Sequence, residues 1–193
     1  MMHYEVEQKF PVDDLAEMEA RLLALGARLA APLEQRDRYF AHPSRDFAQT
    51  DEALRIRQIG RQCLVTYKGP KIDLATKTRR EIELPLSELP DGAGIGQWTE
   101  LFAALGFRTV AEVHKLRRPA HLMWQGAEIE IALDRVDQVG TFVEFELMAD
   151  GENLEAAKAR ILSLAAALGL VAVERRSYLE LLLLGQQSSA AFA

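Results

Sequence analysis

The sequence predicts an α+β fold: a closed, eight-stranded antiparallel β-barrel with its helices packed outside. Segment after segment alternates charged and apolar residues with a period of two, so the charges of each predicted strand share one face. The helical segments fall between pairs of strands and not after every strand, which argues against a parallel sheet. If amphipathic helices cover the apolar faces from outside, the charged faces must point inward.

The N-terminal half begins with a strand at 3–10, which Pro11 ends, followed by a helix that Asp13 or Asp14 can cap. Apolar residues recur at helical spacing in this helix, and they are Leu15, Met18, Leu22, Leu25 and Leu29. Gly26 is typical of its C-terminus. Extended stretches then follow, with a tight turn predicted at Gly60-Arg61, and they span 33–42, 53–59 and 62–68. A polar, partly basic loop is predicted at 71–76.

From residue 77 onward the chain resumes the alternation and then forms a second helix, at about 97–105, which Gly106 ends. Three strands of a meander follow, joined by short turns that contain glycine. The four segments that alternate in this part of the chain are 77–84, 111–124, 128–136 and 141–148. A third helix fits 154–168 and a short final helix fits 176–184. Residues 186–193 are small and polar and are predicted to form a disordered tail.

Composition limits the class of protein. With 193 residues and no segment that resembles a linker, the chain is predicted to form a single domain over 1–185. A net charge of −6 argues against nucleic acid as a partner. The single Cys63 excludes an internal disulfide and a multi-cysteine zinc site. There is no signal-like apolar start, and the apolar run at 181–184 is too short to span a membrane, so we expect a cytoplasmic protein.

The charged faces of seven predicted strands carry both signs in the same phase. The cations are Lys9, Arg55, Arg57, Lys68, Lys77, Arg79, Lys115 and Arg117, and the carboxylates are Glu5, Glu7, Glu81, Glu83, Glu130, Asp134, Glu144 and Glu146. Burying so many ionised groups is costly unless they pair or bind something. A polyanion together with a hard divalent cation would neutralise both sets. The alternative is an open antiparallel sheet whose charged face is solvated.

These motifs, in this order, resemble those of the CYTH family, also called triphosphate tunnel metalloenzymes. They are Glu5-Val6-Glu7-Gln8-Lys9, Asp37-Arg38-Tyr39-Phe40, Leu54-Arg55-Ile56-Arg57, Thr66-Tyr67-Lys68-Gly69-Pro70, Arg79-Arg80-Glu81-Ile82-Glu83, Lys115-Leu116-Arg117, Asp134, Gly140-Thr141-Phe142-Val143-Glu144-Phe145-Glu146 and Arg176-Ser177-Tyr178. The resemblance covers about residues 3–184. It implies a closed eight-stranded barrel that binds a triphosphate inside a tunnel.

The resemblance also implies roles for the charged residues. Those implied to bind the phosphate chain are Lys9, Arg55, Arg57, Lys68, Lys77, Arg79, Lys115 and Arg117, and all of them except Lys77 and Arg79 are also the implied catalytic residues. Those implied to hold Mg²⁺ or Mn²⁺ are Glu5, Glu7, Asp134, Glu144 and Glu146. Glu81 and Glu83 could instead orient the cations.

The family contains class IV adenylate cyclases as well as triphosphatases, and the same tunnel could serve either reaction. The chain length, the Lys-Gly-Pro turn and the late Arg-Ser-Tyr segment resemble the cyclase branch most, which converts ATP to cyclic AMP and pyrophosphate. The alternative is a triphosphatase acting on tripolyphosphate, thiamine triphosphate or a nucleoside triphosphate. A non-catalytic module that binds polyphosphate is a third possibility. Many family members pair, so the resemblance also allows a homodimer.

Overall fold

The computed structural model describes residues 3–71, 78–86 and 94–190. Its strands are β1 (His3–Pro11), β2 (Arg28–Leu29), β3 (Leu33–Ala41), β4 (Ala53–Ile59), β5 (Gln62–Lys68), β6 (Arg79–Leu86), β7 (Arg108–Trp124), β8 (Ala127–Val136) and β9 (Gly140–Asp150). Its helices are α1 (Leu15–Ala24), α2 (Phe47–Thr50), α3 (Gly94–Ala104), α4 (Leu154–Ala167) and α5 (Tyr178–Ala190). The short elements β2 and α2 are absent from the sequence-based prediction.

The strands close into the predicted eight-stranded antiparallel barrel. Hydrogen bonding runs in the order β7-β3-β4-β5-β6-β1-β9-β8, and β8 pairs back onto β7. β2 adds a two-residue pairing to β7 outside this ring. The register between β1 and β9 sets Glu7 opposite Glu146 and Lys9 opposite Glu144. Because a slip of one residue would exchange the two faces of a strand, this register decides which side chains enter the barrel.

The helices cover the apolar outer faces, as predicted. α1 and α4 pack over β1, β8 and β9, and the buried residues that join these layers include Val6, Phe10, Leu22, Ile129, Phe145, Ile161 and Leu164. On another side, Trp98 and Phe102 of α3 pack against Phe40 and Ile56. Asp14, and not Asp13, caps α1, since its side chain accepts hydrogen bonds from the backbone N–H groups of the first turn.

The C-terminal end differs from the prediction. The final helix begins at Tyr178 and continues to Ala190, so the tail predicted at 186–193 is helical over its first five residues. The Ser177 hydroxyl accepts a hydrogen bond from the backbone N–H of Glu180 at 3.1 Å and so starts the helix. Glutamine is compatible with a helix interior, so the polar composition after Leu184 does not end α5. Residues 191–193 lie outside the described residues.

Three other predictions fall wholly or partly outside the described ranges. They concern Lys77, most of the loop at 71–76 and the connection into α3. None of the helices within the described ranges combines the length and the apolar character needed to cross a bilayer.

Candidate functional site

The predicted charged faces converge on one cavity of about 1070 Å³ inside the barrel. The predicted site residues that line it are Glu5, Glu7, Lys9, Arg55, Arg57, Lys68, Arg79, Lys115, Arg117, Glu144 and Glu146. Glu81, Glu83 and Glu130 line it as well. The open, solvated sheet is therefore wrong for this chain, because strand pairing encloses the charges instead of exposing them.

Three carboxylates form a compact trio on one wall of the cavity. Glu5, Glu7 and Glu146 each present an oxygen within 4.8 Å of the others. Glu5 and Glu7 are neighbours on the inner face of β1, and Glu146 is the cross-strand partner of Glu7 on β9. Glu5 and Glu7 are buried and Glu146 is partly buried. Such a set of oxygens is what a hard divalent cation prefers.

The electrostatics of the trio favour a positive occupant. Burial raises the pKa of Glu5 well above its ordinary value, since Lys68 offsets only part of this effect and Glu81 adds repulsion. Burial likewise raises the pKa of Glu146, and the neighbouring carboxylates Glu144 and Glu7 add to it against the opposing charge of Arg117. The three carboxylates therefore hold their negative charges together at a cost, which a bound cation would offset.

Asp134 and Glu144, also predicted as metal ligands, are not members of the trio and pair with Arg117. Arg117 Nε donates to Asp134 Oδ1 at 2.8 Å, and Arg117 Nη2 donates to Asp134 Oδ2 at 2.6 Å and also to Glu144. The Tyr178 hydroxyl donates to Asp134 Oδ2 at 2.8 Å. Burial opposes ionisation of Asp134, but Lys115 and Arg117 outweigh it and hold its pKa well below the usual range. Both oxygens of Asp134 are thus already engaged.

Asp37 has a place in the site that the sequence reasoning missed. It is buried beneath the cavity wall, and it accepts hydrogen bonds from Arg57 Nε and Nη2, both at 2.7 Å, and from Arg55 Nη1 at 3.3 Å. Burial opposes its ionisation, yet Arg57 and Arg55 hold its pKa well below the ordinary value. Asp37 stands on the inner phase of β3, opposite Arg57. That alternation was available in the sequence, but without the partner strand it did not single out this residue.

The remaining cations are held in distinct ways. Lys68 Nζ lies 2.7 Å from one oxygen of Glu5 and 2.7 Å from one of Glu81. Lys9 Nζ donates to the carbonyl of Arg176 at 2.6 Å and lies 3.9 Å from the centre of the Tyr178 ring. Cations and carboxylates thus share one enclosed space.

Lys115 is buried and lies among other charged side chains. Burial, together with Arg117 and Arg57, lowers the pKa of Lys115 to about 8, although Asp134 and Asp37 oppose this. Its Nζ lies 3.7 Å from Asp134 Oδ2, beyond ordinary hydrogen-bond length. A bound anion nearby would therefore favour the charged form of this ammonium group.

Two guanidinium N–H groups in the site could donate a hydrogen bond to a bound ligand. The Nε atoms of Arg55 and Arg79 are buried and have no hydrogen-bond partner among the described residues. Both residues line the cavity. A buried donor without a partner is costly, so an anion with several oxygens would stabilise this part of the barrel.

The sequence and the fold match known proteins over nearly the whole chain. The family model described as the CYTH domain matches residues 3–178. The chain is 35% identical over 180 residues to a Methanocaldococcus jannaschii protein named "Putative adenylate cyclase", which covers 92% of this chain and 97% of the relative.

Two solved structures extend this comparison. The PH1819 protein of Pyrococcus horikoshii has a TM-score of 0.79 and 37% identity, covering 93% of this chain and 98% of that chain. A Hippeastrum protein, described as a putative adenylyl cyclase with a dominant triphosphatase activity, has a TM-score of 0.65 and 18% identity, covering 95% of this chain and 96% of that chain. At that identity the Hippeastrum protein supports the fold alone.

Proposed function

The chain belongs to the CYTH domain family, and we propose that it is a metal-dependent enzyme acting on a triphosphate inside the barrel, with ATP cyclisation to cyclic AMP and pyrophosphate as the reaction. The observation that carries the proposal is that a carboxylate trio and a set of Arg and Lys side chains share one enclosed cavity. A metal alone would leave the cations unsatisfied, and an anion alone would leave the trio uncompensated. A metal-bound triphosphate neutralises both.

The residues fit Mg²⁺ or Mn²⁺ as the metal. Glu5, Glu7 and Glu146 would hold it, because they supply only oxygen ligands from two adjacent strands. When bound, the metal would neutralise charge on phosphate oxygens. Asp134 and Glu144 would not hold the metal but would orient the guanidinium of Arg117, which faces the phosphate chain.

The protein's own cations bind and orient the phosphate chain in this proposal. Arg55 and Arg79 offer donors to phosphate oxygens, and Asp37 holds the guanidinium plane of Arg57 in place. Phosphoryl transfer depends mainly on positioning and on stabilising charge, which preorganised cations supply. Lys115, with a pKa of about 8, is a cavity group that can take up or release a proton near neutral pH.

The M. jannaschii relative supports cyclisation as the reaction, because it is named a putative adenylate cyclase and aligns over 92% of this chain. Hydrolysis of a triphosphate is the second candidate. The observation that favours it is that both sets of charged residues lining the cavity would be neutralised by a metal-bound inorganic triphosphate, without any organic group. In the first reaction the ribose 3′ hydroxyl attacks the α-phosphate, and in the second water attacks the terminal phosphate.

The test is a product panel. The purified protein is incubated with ATP, thiamine triphosphate and tripolyphosphate, each with Mg²⁺ or Mn²⁺, and the products are separated by chromatography. We expect cyclic AMP and pyrophosphate from ATP, and no product when a chelator removes the metal. Phosphate release without cyclic AMP would replace cyclisation by hydrolysis. Binding of a triphosphate without turnover of any substrate would reduce the protein to a polyphosphate-binding module.

A further inference from the structure

Strand β7 changes the face that it presents to the cavity along its length. Lys115 and Arg117 line the cavity from odd positions, whereas Arg108 and Val110 line it from even positions. The change occurs at a β-bulge: Tyr39 of β3 pairs with Ala111, and the next residue pairs with Thr109. Val110 is therefore the extra residue of the bulge. A bulge of this kind re-aims side chains, and bulges are over-represented next to active sites.

Val110 of the bulge is one of five aliphatic residues that line the cavity, and we call this set the collar. The collar consists of Ala41, Ala53, Val110, Leu179 and Leu183. Val110 is 42% exposed although it faces the cavity. Leu179 and Leu183 are one helical turn apart on α5, while Tyr178 and Leu182 of the same helix are buried against the barrel. The collar is thus apolar lining of the same cavity that the charged residues line.

A phosphate chain does not account for the collar. Phosphate oxygens bind cations and N–H donors, and the charged residues of the cavity already supply these. The cavity of about 1070 Å³ is at the upper end of the size range of small-molecule sites, which are mostly apolar with a few polar groups. The aliphatic wall therefore fits an organic group attached to the phosphates.

The side chain of Arg108 favours one kind of organic group, a neutral aromatic ring. Arg108 is brought to the cavity by the same bulge, is exposed, and forms no ion pair with any described residue. A guanidinium plane stacks well on a neutral aromatic ring such as a nucleobase.

We propose that the collar and Arg108 bind the base of a nucleoside triphosphate whose phosphate chain lies on the cavity cations. This inference rests on the proposed function, because it places the phosphates on the charged residues of the cavity. It makes Val110 and Arg108 the residues that determine specificity for an organic over an inorganic triphosphate.

The test compares two ligands that cannot react. Calorimetry with Mg²⁺ present measures the Kd of methylene-bridged ATP and of methylene-bridged tripolyphosphate. Val110→Trp fills the collar and is expected to raise the ratio of the ATP-analogue Kd to the tripolyphosphate-analogue Kd by about tenfold or more. Arg108→Lys keeps the charge but loses the plane, and should raise the same ratio. Thr109→Trp is the matched control, since Thr109 is exposed, adjoins Val110 and does not line the cavity.

Leu183→Trp fills the collar from α5 and replaces Val110→Trp if that variant does not fold. An unchanged ratio in the folded collar variant overturns the inference while leaving the proposed function intact. Wild-type protein that binds the tripolyphosphate analogue but not the ATP analogue overturns the inference and ATP cyclisation, and leaves hydrolysis of an inorganic triphosphate as the function. Wild-type protein that binds neither analogue overturns the proposed function and the inference together.

Discussion

The guanidinium of Arg117 forms a bidentate ion pair with the carboxylate of Asp134, with Nε 2.8 Å from Oδ1 and Nη2 2.6 Å from Oδ2. Two parallel hydrogen bonds between ionised groups fix the guanidinium as well as bind it. Asp134 is fully buried, and Arg117 retains only 11% side-chain exposure. Both oxygens of Asp134 are therefore engaged by protein groups, and we expect a metal to bind the carboxylate trio instead.

Removing the charge of Asp134 should destabilise the protein without abolishing metal binding. Asp134→Asn leaves the Arg117 cation buried with weaker compensation, so we expect the free energy of unfolding to fall by about 3–5 kcal/mol. Urea denaturation measures this loss, and Mg²⁺ titration measures metal affinity. Tyr178→Phe, which removes one hydrogen bond to the same carboxylate, should cost only about 1 kcal/mol. If Asp134→Asn instead abolished metal binding in a folded protein, Asp134 would be a ligand after all.

The carboxylate trio should govern the metal requirement. Glu146→Gln keeps the shape of the side chain but removes one anionic ligand, and we expect the metal concentration that gives half-maximal turnover to rise at least about tenfold. Glu130→Gln is the matched control, because Glu130 lines the same wall and pairs with Glu146 across the sheet but lies outside the trio. Equal effects of the two substitutions would argue that the wall acts only through its total charge.

The ionisation of Asp37 should make the free energy of unfolding depend on pH in the acid range. Its pKa is lowered in the folded protein, so its contribution is present above the unfolded value of about 3.9 and is lost as the pH falls below it. Asp37→Asn leaves Arg57 and Arg55 without their buried counter-ion and should cost about 3–5 kcal/mol at pH 7. The difference in unfolding free energy between wild type and variant should narrow from pH 5 to pH 2. A difference that stayed constant over this range would show that Asp37 does not ionise as described.

Substitutions in α4 should test how this helix packs on the barrel without altering the site. Ile161 is fully buried, whereas its neighbour Leu162 is 47% exposed. Ile161→Ala should lower the unfolding free energy by about 2–5 kcal/mol, because it leaves a cavity between α4 and β1. Leu162→Ala, which removes a comparable side chain from the same helix, should change it by less than about 1 kcal/mol. Thermal or urea unfolding of the two variants decides this, and similar losses would contradict the described packing.

Much of the barrel could be predicted because its signal is local. The alternation of Glu5, Glu7 and Lys9 assigns one face of β1, and the same period assigns the inner residues of the other strands. The turns at Gly60 and Gly126 were predicted from glycine between alternating segments, and both glycines have positive φ in the structure. The cytoplasmic location and the homodimer stay predictions.

The site itself was less predictable, because its pairings join residues far apart in the sequence. Asp134, Glu144 and Glu146 carry the same kind of group at neighbouring positions, yet Arg117 pairs closely with the first two while Glu146 joins Glu5 and Glu7. Asp37 belongs to a motif that resembles the family, but its pairing with Arg57 and Arg55 became visible only with β3 and β4 in register.

From its sequence alone, this chain determines which side chains face the interior of a barrel and which face the helices, because side-chain direction in a strand follows a fixed period of two. Only the tertiary structure decides which interior charges meet, since this depends on the register between strands. A single extra residue at Val110 reverses the period within β7 and turns this aliphatic side chain toward a cavity that charged side chains also line.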